Sequence, residues 1–489
     1  LKKKFILLVL VILLSVSAFI SCAKSASGKD NTSKEGNLNG DNGNASVAEE
    51  TTEDIYADNL PEQDFGGAEF RMAVQDAAWL YVLYDAQEQT GDVLNDAVYK
   101  RNREIEDRFN VKITQNAIDP VGTLKKNVQS GVDAYELYLP VDRDALNLAV
   151  ANMICKLSDI PNINIAKPYW SQSLNKSLTI GGNLYFAYGS FNLSVYDYTH
   201  VLLFNKQMIS DLGLDSPYNL VNSGNWTFDT YSEMAKAAVK DVDGNGVMDG
   251  SDIYGLISLD KHVLPDFWIA AGVQSISKSS DDIPQFTLMG DEKFASVISK
   301  IFTITYDNNS WYRGGLAANK EDYYMSHTLF YDDTFKMVGD LRGSDTDFGI
   351  IPYPKYTADQ ENYYTRVEGG NPGVVPVTAK NLQMIGTVLE ALNAESAKTV
   401  VPAYYDISLK TKYARDEESS QMLDLIFNNR IYDLGDTYWS SILRDGMFLN
   451  MFKKNDRDLA SQLEAVEPKI NAEIDKVVSA FEDMNNAAK

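Results

Sequence analysis

From Phe65 onward the chain alternates two hydrophobic periods, and that alternation restricts its fold more than any other feature. Phe70, Met72 and Val74 repeat every second residue behind Phe65-Gly66-Gly67, the period of a strand. Leu94, Val98, Ile105 and Phe109 follow at helical spacing and run into Asn110-Val111-Lys112-Ile113, a second short strand. Tyr135-Glu136-Leu137-Tyr138-Leu139 reads as a further strand. The helix behind it is marked by Leu146, Val150 and Ile154, and Cys155 is expected in its apolar stripe as a buried thiol. Leu178-Thr179-Ile180 and Leu184-Tyr185-Phe186 flank Gly181-Gly182-Asn183, a hairpin signal. Thr227 can cap a helix beginning at Phe228, in which Tyr231, Met234, Ala235, Ala238 and Val239 form one apolar stripe. Leu382, Ile385, Leu389 and Leu392 mark another helix. Leu459 to Phe481 carry a long amphipathic pattern that Pro468 is expected to break or kink after Glu467. Such alternation predicts an α/β fold built in layers, and 489 residues suffice for two or three domains.

The residues before Phe65 have a different character. Lys2, Lys3 and Lys4 precede the apolar run Phe5 to Leu14, and small residues lead from Ser15 to Cys22, which is the order of a secretory signal. Ending on Ser21-Cys22, it resembles a bacterial lipoprotein signal. Residues 1–21 are then the leader and Cys22 the lipidated residue. An uncleaved membrane anchor is the other reading, although the apolar run is short for a span of about 20 residues. Residues 22–59 are expected to be a flexible tether: Ser, Gly, Asn, Asp, Glu, Thr and Lys dominate, with no aromatic until Tyr56. Under either reading the bulk of the chain is expected outside the cytoplasm.

Charge narrows the partners. There are 44 Lys+Arg against 69 Asp+Glu, a net charge of −25, and no clustered cations beyond Lys4, so a nucleic-acid partner is not expected. Two cysteines, one of them lipidated, leave no disulfide framework. The histidines His200, His262 and His327 show no metal-ligand spacing, and neither a Walker loop nor a dinucleotide fingerprint occurs. No enzyme is therefore expected and no catalytic cofactor, although paired carboxylates of a glycosidase type stay open in so acidic a chain. One ion motif stands out. Asp241, Asp243, Asn245, Val247 (through its carbonyl), Asp249 and Asp252 occupy positions one, three, five, seven, nine and twelve of a calcium loop, with Gly246 at the sharp turn. A structural calcium ion is expected there.

Val201-Leu202-Leu203-Phe204-Asn205-Lys206, Leu212-Gly213-Leu214, Asn225-Trp226-Thr227-Phe228-Asp229 and the stretch Asp241 to Gly255 follow one another in an order that resembles a known family. Phe348 to Pro354 and Gly370 to Pro376 extend the likeness. The family is that of the extracellular solute-binding proteins of ABC importers, in the carbohydrate-binding group that includes maltose-binding protein. The resemblance implies a periplasmic-binding-protein-like type II fold: two α/β lobes joined by crossing hinge strands, closing on ligand by hinge bending. Carried onto this chain, one lobe spans 60–195 with 372–415 and the other 196–371 with 416–489. Crossings are expected near Ser194–His200, near Arg366–Val374 and between Lys412 and Asp433. The implied partners are a small-molecule carbohydrate and the permease subunits in the membrane, with the protein itself monomeric. The competing class is a surface enzyme acting on polysaccharide, or an adhesion lipoprotein.

A sugar offers directed hydroxyls and apolar ring faces, so its site calls for planar polar side chains and aromatic platforms. Asp142-Arg143 resembles the family's ligand-contacting Asp-Arg pair. Trp268, in Phe267-Trp268-Ile269, resembles its aromatic-lined segment, and Tyr438-Trp439 stands where its stacking Trp stands. Trp170 and Tyr198 join them as candidates because they fall where the fold places cleft loops, as do Trp79, Tyr81, Tyr196, Trp311 and Tyr312. Trp226 is expected to staple a helix rather than touch ligand.

Overall fold

The computed structural model describes residues 54–77, 82–314, 321–339, 341, 344–404 and 416–487. The leader, Cys22, Trp79 and Tyr81 lie outside the described residues. Asp54–Lys489 forms one unit containing two principal sheets.

The first sheet is parallel, in the order β2-β1-β3, with β1 at Ala68–Gln75, β2 at Val111–Ile118 and β3 at Leu137–Leu139. Parallel neighbours need crossovers, which α1 (Val93–Phe109) and α2 (Pro120–Ser130) supply. Both helices are punctuated by their own sequence. Asp92 accepts hydrogen bonds from the Leu94 and Asn95 amides, and Asn110 ends α1 in the left-handed region at φ 48°. Asp119 caps α2, Pro120 occupies its first turn and Gly131 closes it at φ 68°. Next, α3 (Asp142–Val150) stops four residues short of Ile154, because Cys155 instead donates its amide to the Val375 carbonyl at 2.8 Å. Cys155 therefore lies in extended chain rather than in a helical stripe. It is half-buried, and burial pushes its thiol up to about 11.

The second sheet combines β4 (His200–Asn205), β5 (Tyr254–Ser258), β8 (Trp311–Arg313), β9 (Thr328–Thr334) and β10 (Phe348–Ile351) in the order β10-β4-β9-β5-β8. Strands β5, β8 and β9 run parallel, and β4 is antiparallel to β9 and β10. A side hairpin pairs β6 (Ile276–Lys278) with β7 (Pro284–Phe286). Strands β4, β5 and β9 are buried along their whole length. Two carboxylates of β9, Asp332 and Asp333, and the imidazole of His200 are thus enclosed in this buried layer. Buried charge in a central strand is the observation to explain, since such groups are seldom fully buried unless paired.

Three backbone segments run side by side between the sheets. β11 (Thr365–Arg366) pairs with β12 (Arg430–Ile431), and Val367 bridges to Thr199. The Glu368 amide donates to the Tyr198 carbonyl at 3.0 Å. The chain then continues past Ala187, which bridges to Gly373, and reaches β3, where Tyr138 bridges to Val374.

Two local expectations are corrected. Leu178 ends the helix Gln172–Leu178, so the hairpin shrinks to a bridge between Ile180 and Asn183 around Gly181 and Gly182, both at positive φ. The C-terminal helix Leu459–Ala487 also continues through Pro468. That proline and Glu464, whose carbonyl loses its intrahelical donor, are both exposed, so water replaces the missing bond.

Candidate functional site

A cavity of about 230 Å³ opens where those three segments meet α3. α3 and its cap contribute Val141, Asp142 and Arg143, and Tyr198 comes from just before β4. Lys261 comes from the helix Asp260–Ala270, and Glu368, Gly369 and Gly370 from the stretch after β11. Asp436, Thr437, Ser440 and Arg444 come from beyond β12. The carboxyl ends of β5 and β9 point toward this region, the side of an α/β sheet where ligands are bound.

Asp142 sits in the first turn of α3, where the helix dipole favours a carboxylate. It accepts from the Arg143 amide at 2.8 Å and from the Tyr432 hydroxyl. Even so, burial pushes its carboxyl up to about 6. Gly369 and Gly370 let the backbone come close: a Cβ on Gly369 would stand 2.9 Å from an Asp142 oxygen, and one on Gly370 2.4 Å from the Tyr188 hydroxyl. The Gly370 carbonyl accepts the Asp142 amide at 3.1 Å, tying α3 to the crossing stretch.

The opposite wall is ionic. Glu368 takes Lys261 at 2.8 Å and has Arg444 at 3.6 Å. Arg366, fully buried, grips both oxygens of Asp436 at 2.6 and 3.0 Å and reaches Asp266 at 3.2 Å. Arg444 donates to the Asp436 carbonyl and to Asp445. Arg143, exposed, also lines the cavity and makes no ion pair among the described residues.

Of the residues singled out in the sequence, Asp142, Arg143 and Tyr198 line this cavity. The other described candidates do not. Trp268 is 0% exposed and packs on Phe294 and Phe448. Trp170 is buried with its indole nitrogen donating to Glu390 at 3.0 Å. Tyr438 and Trp439 are buried behind the wall that carries Asp436 and Ser440, with Tyr438 edge-on to Phe186 and Tyr432. Large rings with so much apolar area to remove from water fill the core here. Trp226 is likewise buried, its indole donating to the Pro352 carbonyl at 2.9 Å. Lys261, Glu368, Asp436 and Arg444 went unnoticed in the sequence because they converge from three distant stretches without a local motif.

The acidic loop is drawn up on itself. Asp241 accepts from the Gly244 and Gly246 amides, and Asp252 from the Val242 and Asp249 amides. Carboxylate oxygens of Asp241, Asp243 and Asp252 lie within 4.8 Å of one another, whereas the Asp249 carboxylate turns to Ser251. Asn245 uses its side-chain oxygen on the Val247 amide.

No protein-family model matches the chain, and no curated protein matches it in sequence. Solved structures do match in three dimensions. The cyclic alpha-maltosyl-1,6-maltose binding protein of Arthrobacter globiformis has a TM-score of 0.58 at 11% identity, over 85% of this chain and 100% of that one. UgpB of Mycobacterium tuberculosis, in complex with glycerophosphocholine, has 0.55 at 14% identity, over 84% and 99%. The ABC substrate-binding protein Lmo0181 of Listeria monocytogenes, in complex with cycloalternan, has 0.53 at 12% identity, over 83% and 99%. At these identities the likeness establishes the fold, the mixed α/β architecture of ABC solute-binding proteins.

Proposed function

We propose that the chain is the extracytoplasmic solute-binding component of an ABC importer, which captures a carbohydrate in this cavity and delivers it to a membrane permease. The observation that carries the reading is the cavity's position and chemistry. It lies where the backbones at Thr199, Val367 and Ile431 run together, in a fold shared with a protein solved in complex with cycloalternan and with a cyclic alpha-maltosyl-1,6-maltose binding protein. Its wall offers carboxylates and guanidinium groups that pair with vicinal hydroxyls in directed hydrogen bonds, and Tyr198 adds an aromatic ring to the lining. On this reading Cys22 carries the lipid that holds the chain at the membrane, residues 22–59 are its tether, and Asp241–Asp252 hold a structural calcium ion remote from the ligand.

A thermal-shift screen of the full chain against neutral, acidic and amino sugars tests it. A ligand at 100 times its Kd stabilises the native state by about 2.7 kcal/mol. Stabilisation by a sugar that is recovered intact supports capture, and cleavage products would replace the carrier with an enzyme. Absence of any shift across the panel would remove carbohydrate as the ligand.

A further inference from the structure

Two of the three histidines, distant in sequence, meet beneath the cavity floor. His200 opens β4, His262 lies in the helix Asp260–Ala270, and their rings stand edge to face with centroids 4.6 Å apart. Both are fully buried, and each turns Nδ1 toward Asp332 and Nε2 toward Glu368. Nδ1 of His200 lies 3.2 Å from Asp332 and 3.3 Å from Asp266, and Nδ1 of His262 lies 3.3 Å from Asp332. Nε2 of each ring lies 3.6 Å from the same oxygen of Glu368. We propose that His200, His262, Asp266 and Asp332 bind one divalent transition-metal ion of the zinc type, through the two Nδ1 atoms and one oxygen of each carboxylate.

Four observations support the assignment. The first is spacing. Ligands about 2.0–2.2 Å from a tetrahedral ion stand about 3.3–3.5 Å from one another. His200 Nδ1 stands 3.2 Å from one Asp332 oxygen and 3.3 Å from Asp266, His262 Nδ1 stands 3.3 Å from the other Asp332 oxygen, and all four residues offer ligand atoms within 4.8 Å of each other. The second is His262 itself: neither ring nitrogen makes a hydrogen bond of acceptable geometry despite complete burial. Orphaned buried polar atoms are costly, and coordination at Nδ1 would satisfy one of them. The third is the surroundings. A metal-bound imidazole commonly gives its other N–H to a carboxylate, and Glu368 stands in that position for both rings. Ser258 donates to Asp332 at 2.6 Å and Tyr353 to Asp266 at 3.2 Å, which fixes the two carboxylates.

The fourth is charge. Asp266, Asp332, Asp436 and Glu368 converge on two cations, Arg366 and Lys261, while Arg444 is shared with Asp445. Asp333 is occupied elsewhere, with Tyr331 and Thr334. At least two negative charges remain, which a divalent ion between neutral imidazoles offsets. Arg366 Nη1 is 3.2 Å from Asp266 and 3.2 Å from Nε2 of His200; with the ion on Nδ1 that ring carries its proton on Nε2 and turns it to Glu368, while Arg366 keeps its bond to Asp266. Two nitrogens with two carboxylate oxygens suit zinc rather than the all-oxygen shell of calcium or magnesium. Such an ion would pin β4, β9 and the helix Asp260–Ala270 to one another and hold Glu368 in the cavity wall.

The rival source of positive charge is a proton on each imidazole, and metal analysis separates the two whether or not the cavity takes a sugar. The full chain, made without a histidine tag, is equilibrated with zinc and dialysed. The expected content is about one zinc per chain, falling below about a tenth in His262→Gln and in Asp332→Asn, while Asp243→Ala keeps it. Cobalt in place of zinc should give the intense visible bands of a four-coordinate ion in the wild type, a readout that does not depend on any variant folding. No zinc retained and no such bands would overturn the proposal and leave an ion-pair network of protonated imidazoles. Stoichiometric zinc persisting in natively folded His262→Gln would overturn it as well, by placing the ion elsewhere.

Discussion

Asp142→Asn should make the unliganded protein more stable at neutral pH while weakening its binding. The carboxyl is buried among the residues of the cavity wall, and burial pushes it up to about 6 from an ordinary value of 3.8. Between those values the folded state holds a proton that the unfolded state has lost. Stability therefore falls as pH rises through this window and stays lower above it. About two units at 1.36 kcal/mol each make the ionised side chain cost close to about 3 kcal/mol at neutral pH. An asparagine removes that cost with little change of shape: Oδ1 still accepts the Arg143 amide, and the amide nitrogen can meet the Tyr432 oxygen. Denaturant unfolding of both proteins at about pH 7.5 and about pH 4.5 is the assay, with a gain approaching about 3 kcal/mol at the first pH and only about 1 kcal/mol at the second. Equal stability of the two proteins at neutral pH, or a gain of the same size at both, would refute the reasoning. Sugar affinity should move the other way, because a hydroxyl loses a charge-assisted partner.

Other outcomes follow from the placements described. Trp268→Ala should cost about 3–5 kcal/mol of stability, read by denaturant unfolding, because the ring fills the core against Phe294 and Phe448 and not the cavity. Chelation of calcium should lower the melting temperature of the wild type, and Asp243→Ala with Asp249→Ala should abolish that response without altering sugar affinity. Cys22→Ala should release the protein from membranes or leave it unprocessed, as read by lipid labelling and fractionation.

Local punctuation made much of the fold legible. Asp92 and Asn110 bound α1, Thr227 caps the helix at Phe228 by accepting from the Thr230 amide, and alternation located β1. Where reading failed, a longer-range term won. Pro468 leaves its helix unbroken because the lost bond faces water, and Leu178 joins a helix because Asn175, on that helix, is held by Tyr188 across the bend. At the site, the Asp-Arg dipeptide was visible because both residues are adjacent in sequence and open a helix. The aromatic platforms were not separable from core, since a tryptophan in a long apolar segment has the same local pattern either way. His200 and His262 showed no ligand spacing because a sheet and a helix bring them together, not one element. The usable signal was Asp332-Asp333 inside the run Leu329-Phe330-Tyr331, two carboxylates where a buried strand should be apolar.

The most direct test of the central claim is calorimetric titration of the full chain, and of an Asp142→Ala, Arg444→Ala double variant, with the sugar that most raises the melting temperature. Capture in this cavity predicts one saturable site in the wild type, intact sugar afterwards, and a loss of at least tenfold in affinity in the double variant, equivalent to about 1.4 kcal/mol. Undiminished affinity in a natively folded double variant would contradict it.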